Sequence, residues 1–513
     1  MQKRSLLVVS IFLLISAGIL KYVLITNEVE EMGKQEEMHS NQVVEDVAEV
    51  RVANIPKIEL PPGVDWREFE GTVLNMTTEN TPPSLYLAAH IDSFENLTGI
   101  KVNIEPSDLK TVIERVGLDF NAKSANYHII YADPYQILAK YPNHFVNLNE
   151  LNGNPKLPHI PGGLEDFMQT HLEVTGYVND KSRLLALPFD SSTMLLVYRK
   201  DVFEKYKNEF QAEYGYDWTP GPNLSWEQYY EIANWINKKV GDGTITEVKY
   251  GIGHQAKRDD SLMNDFSNIL AANGGDYFDH VFPNNKGVML PTNSGMNSDI
   301  ALQSIKFYKE LINIAAPGST SWDWSDLAAA FAKGELAMAP EWHDFAYAFE
   351  DESRSNVAGK VGWANLPKGK ERQAHMFGGT GLAINKYASE QEIKAAWLFL
   401  IWATSPQTQY MLLKTEQGWT PTRHSIYNLP EVQAGMQAGT PESKEMISFL
   451  PMAEILTAWE EENMYIRPKF LHWQQVNTFI FTELSKMLMD KQSPEKTAEK
   501  IAKKSNDSIK GED

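Results

Sequence analysis

Near its start the chain alternates short apolar runs with amphipathic stretches. Thr72–Met76, within GTVLNMTTEN, predicts a strand that ends in the polar loop Thr77–Asn80. AAHIDSFENLTGIKVNIEP predicts a helix closed by Gly99 and a second strand over Ile100–Ile104. YHIIYADPY predicts a third strand, Ile129–Tyr131, broken at Asp133-Pro134. Strands alternating with helices indicate parallel βαβ units. Later helices carry recognisable starts. Ser225 with Gln228 forms a capping box ahead of Tyr229, Ile232, Ala233 and Ile236, and Ser389 with Glu392 forms another ahead of Ile393, Ala396, Trp397, Leu400 and Ile401. Ser405-Pro406 and Ser493-Pro494 each set an N-cap before a proline at the first helical position. Helices dominate the last quarter, and no internal repeat is found.

One stretch, AMAPEWHDFAYAF (Ala337 to Phe349), crowds chemistry behind an apolar run. Ala337–Ala339 predict a buried strand entered from the turn Lys333-Gly334-Glu335. Pro340 lacks an N–H and is expected to end the pairing. Glu341, Trp342, His343 and Asp344 then lie just past a strand end, where open α/β sheets bind ligands. A metal site there lacks a second histidine at helical spacing, and the twelve histidines form no H-E-x-x-H or comparable pattern. Catalysis by His343 beside Asp344 lacks a nucleophile elbow such as G-x-S-x-G. Two readings stay open: a helix start with Asp344 near its N-terminus, and a platform in which the Trp342 indole covers the C–H face of a ring while carboxylates and amides take its hydroxyls.

Other strand ends offer further ligand candidates, each weighed against an ordinary turn or core group. They are Thr78, Glu79 and Asn80 after the first strand, Asp133 and Tyr135 after the third, His254 and Gln255 after YGIG, and Trp419 after Gly418. Trp322 and Trp324, in SWDWSD, are either aromatic contributors or the staple of a helix start.

Composition refines this picture. The 513 residues suggest two to four domain-sized units, and a hydrophobic fraction of 42% allows a large core. A formal net charge of −21 argues against a nucleic-acid partner, which requires a positive surface. The absence of cysteine excludes disulfides, thiolate metal sites and a lipid-modified cysteine anchor. At the N-terminus Lys3 and Arg4 precede an apolar stretch, Leu6 to Ile25, interrupted by charge only at Lys21. Residues 1–26 therefore read as a signal peptide or an uncleaved membrane anchor, with the remainder outside the cytoplasm, secreted or tethered. From Asn27 to Val50 there are eight carboxylates, one lysine and no aromatics. Together with IPKIELPPG this predicts a flexible acidic stalk and linker over 27–70.

The order of motifs adds a resemblance. LLALPFDSSTMLLVYRKDVFEKY (Leu184 to Tyr206) is similar to a signature of bacterial extracellular solute-binding proteins, the maltose-binding-protein-like components of ATP-driven sugar importers. FENLTGIKVNIEP, FAKGELAMAPEW, the GGTGLAINKY stretch with its following helix, PTRHSIYN and the segment from Arg467 resemble further motifs of that family, in its order, over roughly Gly71 to Ile509. The resemblance implies a periplasmic-binding-protein-like fold: two α/β lobes joined by hinge crossovers, with a ligand cleft between them. The lobes would comprise 71–188 and 379–430 for the first and 189–378 for the second, with C-terminal helices over 431–513 mainly on the second. Pro188, Gly378 and Gly379 would be hinge residues, and Asp190, Gly379 and Thr380 ligand contacts on the crossovers; Gly379 is also a candidate for positive φ. Many relatives carry an aromatic where Thr380 stands here. The implied function is capture of a carbohydrate for an ABC transporter permease, by a monomer with no cofactor, no metal and no bond made or broken. A non-sugar solute such as a polyamine, delivery to a membrane sensor, and a glycoside hydrolase using Asp190 and Glu341 are the alternatives.

Overall fold

The computed structural model describes residues 56–510 apart from 62, 179–180, 280, 284–288, 415–418 and 437–449. The predicted signal or anchor over 1–26, most of the predicted acidic stalk and Gly418 lie outside the described residues. Two main sheets organise the rest. The first has the order β2-β1-β3-β12-β4, built from β1 (Val73–Glu79), β2 (Lys101–Ser107), β3 (Ile129–Ala132), β4 (Ala186–Asp190) and β12 (Thr380–Ile384). The second has the order β10-β5-β9-β6, built from β5 (Met194–Arg199), β6 (Tyr250–Ile252), β9 (Leu336–Trp342) and β10 (Val361–Ala364). Short ribbons complete the set: β7 (Val281–Pro283) with β8 (Met289–Pro291), and β11 (His375–Met376) with β13 (Met464–Tyr465).

The βαβ reading holds for β1, β2 and β3, which are parallel. The sheet as a whole is mixed, because β12 returns antiparallel to both β3 and β4. β1 and β2 run beyond their apolar cores into polar residues, since the ladder needs only backbone groups there, while β3 gains only Ala132 over the expected span. Both capping boxes form, at Ser225 and Ser389, and Ser405 and Ser493 cap their helices ahead of proline.

Pro340 does not end its strand. β9 continues to Trp342, with Pro340 paired to Leu196. Its other neighbour, β6, stops at Ile252 opposite Met338, so the missing N–H falls where that side no longer has a partner.

The first lobe packs α1 (Glu390–Ala403) across its sheet. Trp397, Leu400 and Ile401 of α1 join Leu74, Met76 and Ile129 in one core, and the Trp397 indole donates to the Pro158 carbonyl at 2.9 Å. Each such large side chain contributes about 1.5–3 kcal/mol on burial. The predicted linker ends earlier than its composition suggests. Phe69 is buried in this core, Ile58 and Trp66 pack against it, and the Pro56 carbonyl accepts from Gln407 at 2.6 Å. Three apolar side chains in fifteen residues suffice to hold 56–70 on the lobe. The second lobe has its own core, with Val197, Leu327, Phe331, Leu336 and Ala339. The long C-terminal helices, Trp473–Leu488 and Pro494–Ile509, pack on helices of that lobe.

The chain leaves the first sheet after Asp190 and enters the second at Met194, and returns between Met376 and Thr380. The two crossovers run side by side. The Gly378 N–H donates to the Ser192 carbonyl at 2.9 Å, and Thr193 bridges to Phe377. Pro188 lies inside β4, paired with Gly381, so the passage falls just beyond it. Neither Gly378 nor Gly379 has positive φ. What requires glycine is close packing: a Cβ on Gly378 would stand 2.6 Å from the Trp342 ring, and one on Gly379 would stand 2.1 Å from the Phe377 ring and 3.0 Å from the Asp190 carbonyl.

Candidate functional site

A cavity opens between the sheets, with about 110 Å³ of space for the centres of water molecules. The first lobe supplies the carboxyl ends of its strands, Glu79 at the end of β1 with Asn80 after it and Asp133 after β3, together with Thr380 at the start of the antiparallel β12. The second lobe supplies Trp342 at the end of β9, Asp344 just past it, and Arg467 after β13. It also supplies two helix starts: Asp260 and Asn264 on α2 (Asp260–Ala272), and Trp324 on α3 (Trp324–Ala332). Ser192 and Gly378 contribute from the crossovers.

Strand alternation decides which residues of EWHD face the cavity. Trp342 points into it, 8% exposed, against the bare backbone of Gly378. Glu341 is fully buried on the other face, its Oε1 accepting from the Trp342 N–H at 2.8 Å and its Oε2 without a partner. Burial holds that carboxyl well above its ordinary range. His343 is also fully buried. Its Nδ1 accepts from the Thr193 N–H at 3.1 Å, which leaves Nε2 as the protonated nitrogen facing the Thr420 hydroxyl. Burial lowers its pKa to about 4, so it is a neutral spacer between a strand end and the Thr420 segment. A helical turn does start at His343–Phe345 and leads into Ala346–Glu350, so the helix-start reading and a cavity-lining role coexist at Asp344.

The site is strongly acidic. Four carboxyl residues line it (Glu79, Asp133, Asp260 and Asp344), against one guanidinium, Arg467. Glu79 keeps part of its surface open to the cavity, yet its carboxyl is enclosed. Burial first, and then the charges of Asp190, Asp133, Asp260 and Asp344, push its pKa up to about 8. Burial raises Asp260 to about 6, with Arg467 pulling it back. Asp190 lies behind the wall, accepting from the Tyr131 hydroxyl at 3.0 Å and from the Ser192 hydroxyl at 3.1 Å. Ser192 also contacts Asp344, and a hydroxyl has one proton to give. Burial holds both Asp190 and Asp344 above the usual carboxylate range, Asp190 also through the charge of Asp344. Arg467 lies over the Tyr135 ring, 4.0 Å from its centroid.

Of the residues expected from sequence, Glu79, Asn80, Asp133, Trp342, Asp344, Gly378, Thr380 and Trp324 meet at the cavity. The others sit elsewhere. Thr78 is buried and hydrogen-bonded to Ser84 at 2.6 Å. Tyr135 stands behind Arg467, and Asp190 behind Ser192. His254 belongs to a network inside the second lobe, with Asp265 at 2.8 Å and the Tyr229 hydroxyl at 3.3 Å, and Gln255 contacts the Met194 sulfur. Trp419 packs on Phe189 in the core of the first lobe, and Trp322 packs against the core of the second. Gly379 is enclosed by Phe377 and the Asp190 carbonyl. The hydrolase pair, Asp190 and Glu341, consists of two fully buried residues outside the cavity lining.

The sequence reading missed Asp260, Asn264 and Arg467. A signal existed for the first two. Asp260 and Asn264 are one helical turn apart, on a helix buried from Ser261 to Ala272 that also carries Ser261, Asp265, Ser267 and Asn268, so the spacing placed them on one face without marking that face as the cavity.

The sequence profile described as Bacterial extracellular solute-binding protein matches residues 78–410. A probable amino-acid ABC transporter periplasmic-binding protein of Sinorhizobium fredii is 22% identical over 410 residues, 79% of this chain and 82% of the relative. Among solved structures, an ABC transporter solute-binding protein of Agrobacterium radiobacter in complex with ribitol superposes with a TM-score of 0.68 at 22% identity, covering 86% of this chain and 99% of that one. The maltose-bound MalE3 of T. maritima also gives 0.68, at 23% identity, with 86% and 100% covered.

Proposed function

This chain belongs to the bacterial extracellular solute-binding protein family, and from that premise we propose that it captures a carbohydrate or polyol outside the cytoplasm and delivers it to an ABC transporter permease by closing its lobes. The observation that carries the reading is the cavity itself. An indole, Trp342, lies beside strand-end carboxylates and amides contributed by both lobes. A flat apolar face suits the C–H side of a sugar, and acceptors around it suit hydroxyls. Ribitol and maltose in the two structural neighbours support a polyhydroxylated ligand. The space available suits a single ring or a short polyol better than a long chain.

The protein acts as a monomer, and Leu6 to Ile25 serves to export or tether it. Binding, without bond cleavage, is the activity. A thermal-shift screen of the full chain against pentitols, hexitols, monosaccharides and disaccharides tests the proposal. A ligand at one hundred times its dissociation constant adds about 2.7 kcal/mol of stability. No shift with any polyol or sugar, together with a shift on amino acids or peptides, overturns the carbohydrate reading.

A further inference from the structure

We propose that the ligand of this cleft carries a protonated amine, as an amino sugar or aminated polyol does; the polyhydroxylated frame rests on the function proposed above, and the charge is the new element. Four carboxyl residues face one guanidinium around the cavity. Among the described residues, none of the four is ion-paired to a lysine or arginine, and the contact of Asp344 with His343, at 3.4 Å, is to a neutral ring. The acids are spread around a space instead of converging on a point. No group of three or more His, Asp or Glu among the described residues is placed to hold a metal ion. Asp133 accepts from the Tyr135 and Gln136 N–H groups and Asp260 from the Gln136 and Asn477 amides, which satisfies oxygens but leaves the charge without a cationic partner among the described residues.

A second, independent observation points the same way. Asn264 lines the cavity, is 4% exposed, and its Oδ1 has no hydrogen-bond partner. A buried acceptor left without a donor is costly unless a ligand supplies one. An ammonium brings three donors and no acceptor, so it can meet the Asn264 oxygen and a carboxylate together. Around it stand Trp324, Trp342, Tyr131 and Phe345, and aromatic faces attract cations as well as C–H groups. A neutral sugar can donate its hydroxyl protons to the same acceptors. It cannot offset the repulsion from neighbouring carboxylates that, after burial, raises Glu79 and Asp260 above their usual range. An ammonium does so, and its arrival expels protons.

The test uses matched pairs in titration calorimetry on the full chain at neutral pH: glucose, N-acetylglucosamine and glucosamine; sorbitol and 1-amino-1-deoxysorbitol; and the diamine putrescine as a cation without a sugar frame. The amine member of each pair is expected to bind at least about tenfold tighter than its neutral partners. Its affinity should fall with salt, and its binding should release protons, read from the buffer dependence of the heat. Asp260→Asn and Glu79→Gln should each reduce the amine preference by about tenfold. The preference on the unaltered protein stands as a readout should a variant fold poorly. Neutral members binding as well as amines overturn the amine and leave the carbohydrate reading in place. Putrescine binding with no sugar or polyol of either kind overturns the carbohydrate frame and upholds the cation. Binding of no probe overturns the proposal.

Discussion

Trp342 and Gly378 form one device. The indole can lie where it does only because residue 378 has no side chain, its nearest ring atom being 2.6 Å from where a Cβ would stand. Trp342→Ala is expected to weaken ligand binding by more than about tenfold, or 1.4 kcal/mol, with the circular dichroism spectrum unchanged. Gly378→Ala tilts the ring without removing it and should cost about the same factor; wild-type affinity in a folded Gly378→Ala protein would show that ring position does not matter. The carboxyl of Glu79 makes a second prediction. A folded-state pKa of about 8 lies above the ordinary value of 4.5, so the folded form binds the extra proton. Its contribution to stability is complete below pH 4.5 and is lost as pH rises towards 8. Buried His171, His343 and His375, whose pKa values burial lowers, add stability over the lower part of this range. The Glu79 effect is therefore read as a difference: the melting temperature of the unaltered ligand-free protein relative to Glu79→Gln should fall between pH 5 and pH 8. A difference that is flat or rises over this range contradicts the assignment. These single residues were legible in the sequence where they terminate strands, as Glu79, Asp133 and Trp342 do. Sequence position alone did not say which face each residue takes, so His343, one residue past Trp342, was grouped with it although it points into the protein.

Among elements, α2 shows why local patterns under-report a site. Its helical periodicity serves burial on nearly every side, and the polar residues it carries are used internally or at the cavity. Asp265 holds His254 and the Tyr308 hydroxyl, both at 2.8 Å, and Asn268 donates to the Met194 sulfur at 3.3 Å. Asp260 and Asn264 occupy the turn that reaches the ligand space. Periodicity marks such a helix as buried, and only the tertiary arrangement separates the two uses of its polar groups. Asn264→Leu separates them by experiment. Removing a buried acceptor that lacks a partner should leave stability unchanged or raise it by about 1 kcal/mol, read by urea denaturation, while ligand affinity falls. Stability lost along with affinity would instead mark Asn264 as a structural residue. The strand β9 gives the opposite lesson. Its proline suggested a break, yet the break depends on whether a neighbour is present on the side of the missing N–H, and β6 had already ended.

At the scale of the whole molecule, the motif order carried the two-lobed architecture, because strand ends and crossovers keep their spacing even when individual residues differ. The contacts between lobes were not legible, since they join residues hundreds of positions apart. The Gln136 amide reaches Asp260, the Lys140 ammonium donates to Gln474 at 2.7 Å, and Lys469 reaches the Val174 and Tyr177 carbonyls. The last prediction concerns these contacts. Burial lowers the Lys469 pKa to about 7, so this closing contact is made at the expense of its charge. A ligand that touches both lobes adds free energy to the closed arrangement alone and shifts the population towards it, whereas one that touches a single lobe shifts nothing. Small-angle scattering on a chain beginning at Pro56, where the compact unit starts, should therefore show a smaller radius of gyration at saturating ligand than without it. Gly379→Val would drive a branched side chain into the Phe377 ring and the Asp190 carbonyl between the paired crossovers. It should abolish that compaction and weaken binding while each lobe keeps its secondary structure. If the radius stays constant on binding, and Gly379→Val binds as the unaltered protein does, closure around the crossovers is not how this cleft holds its ligand.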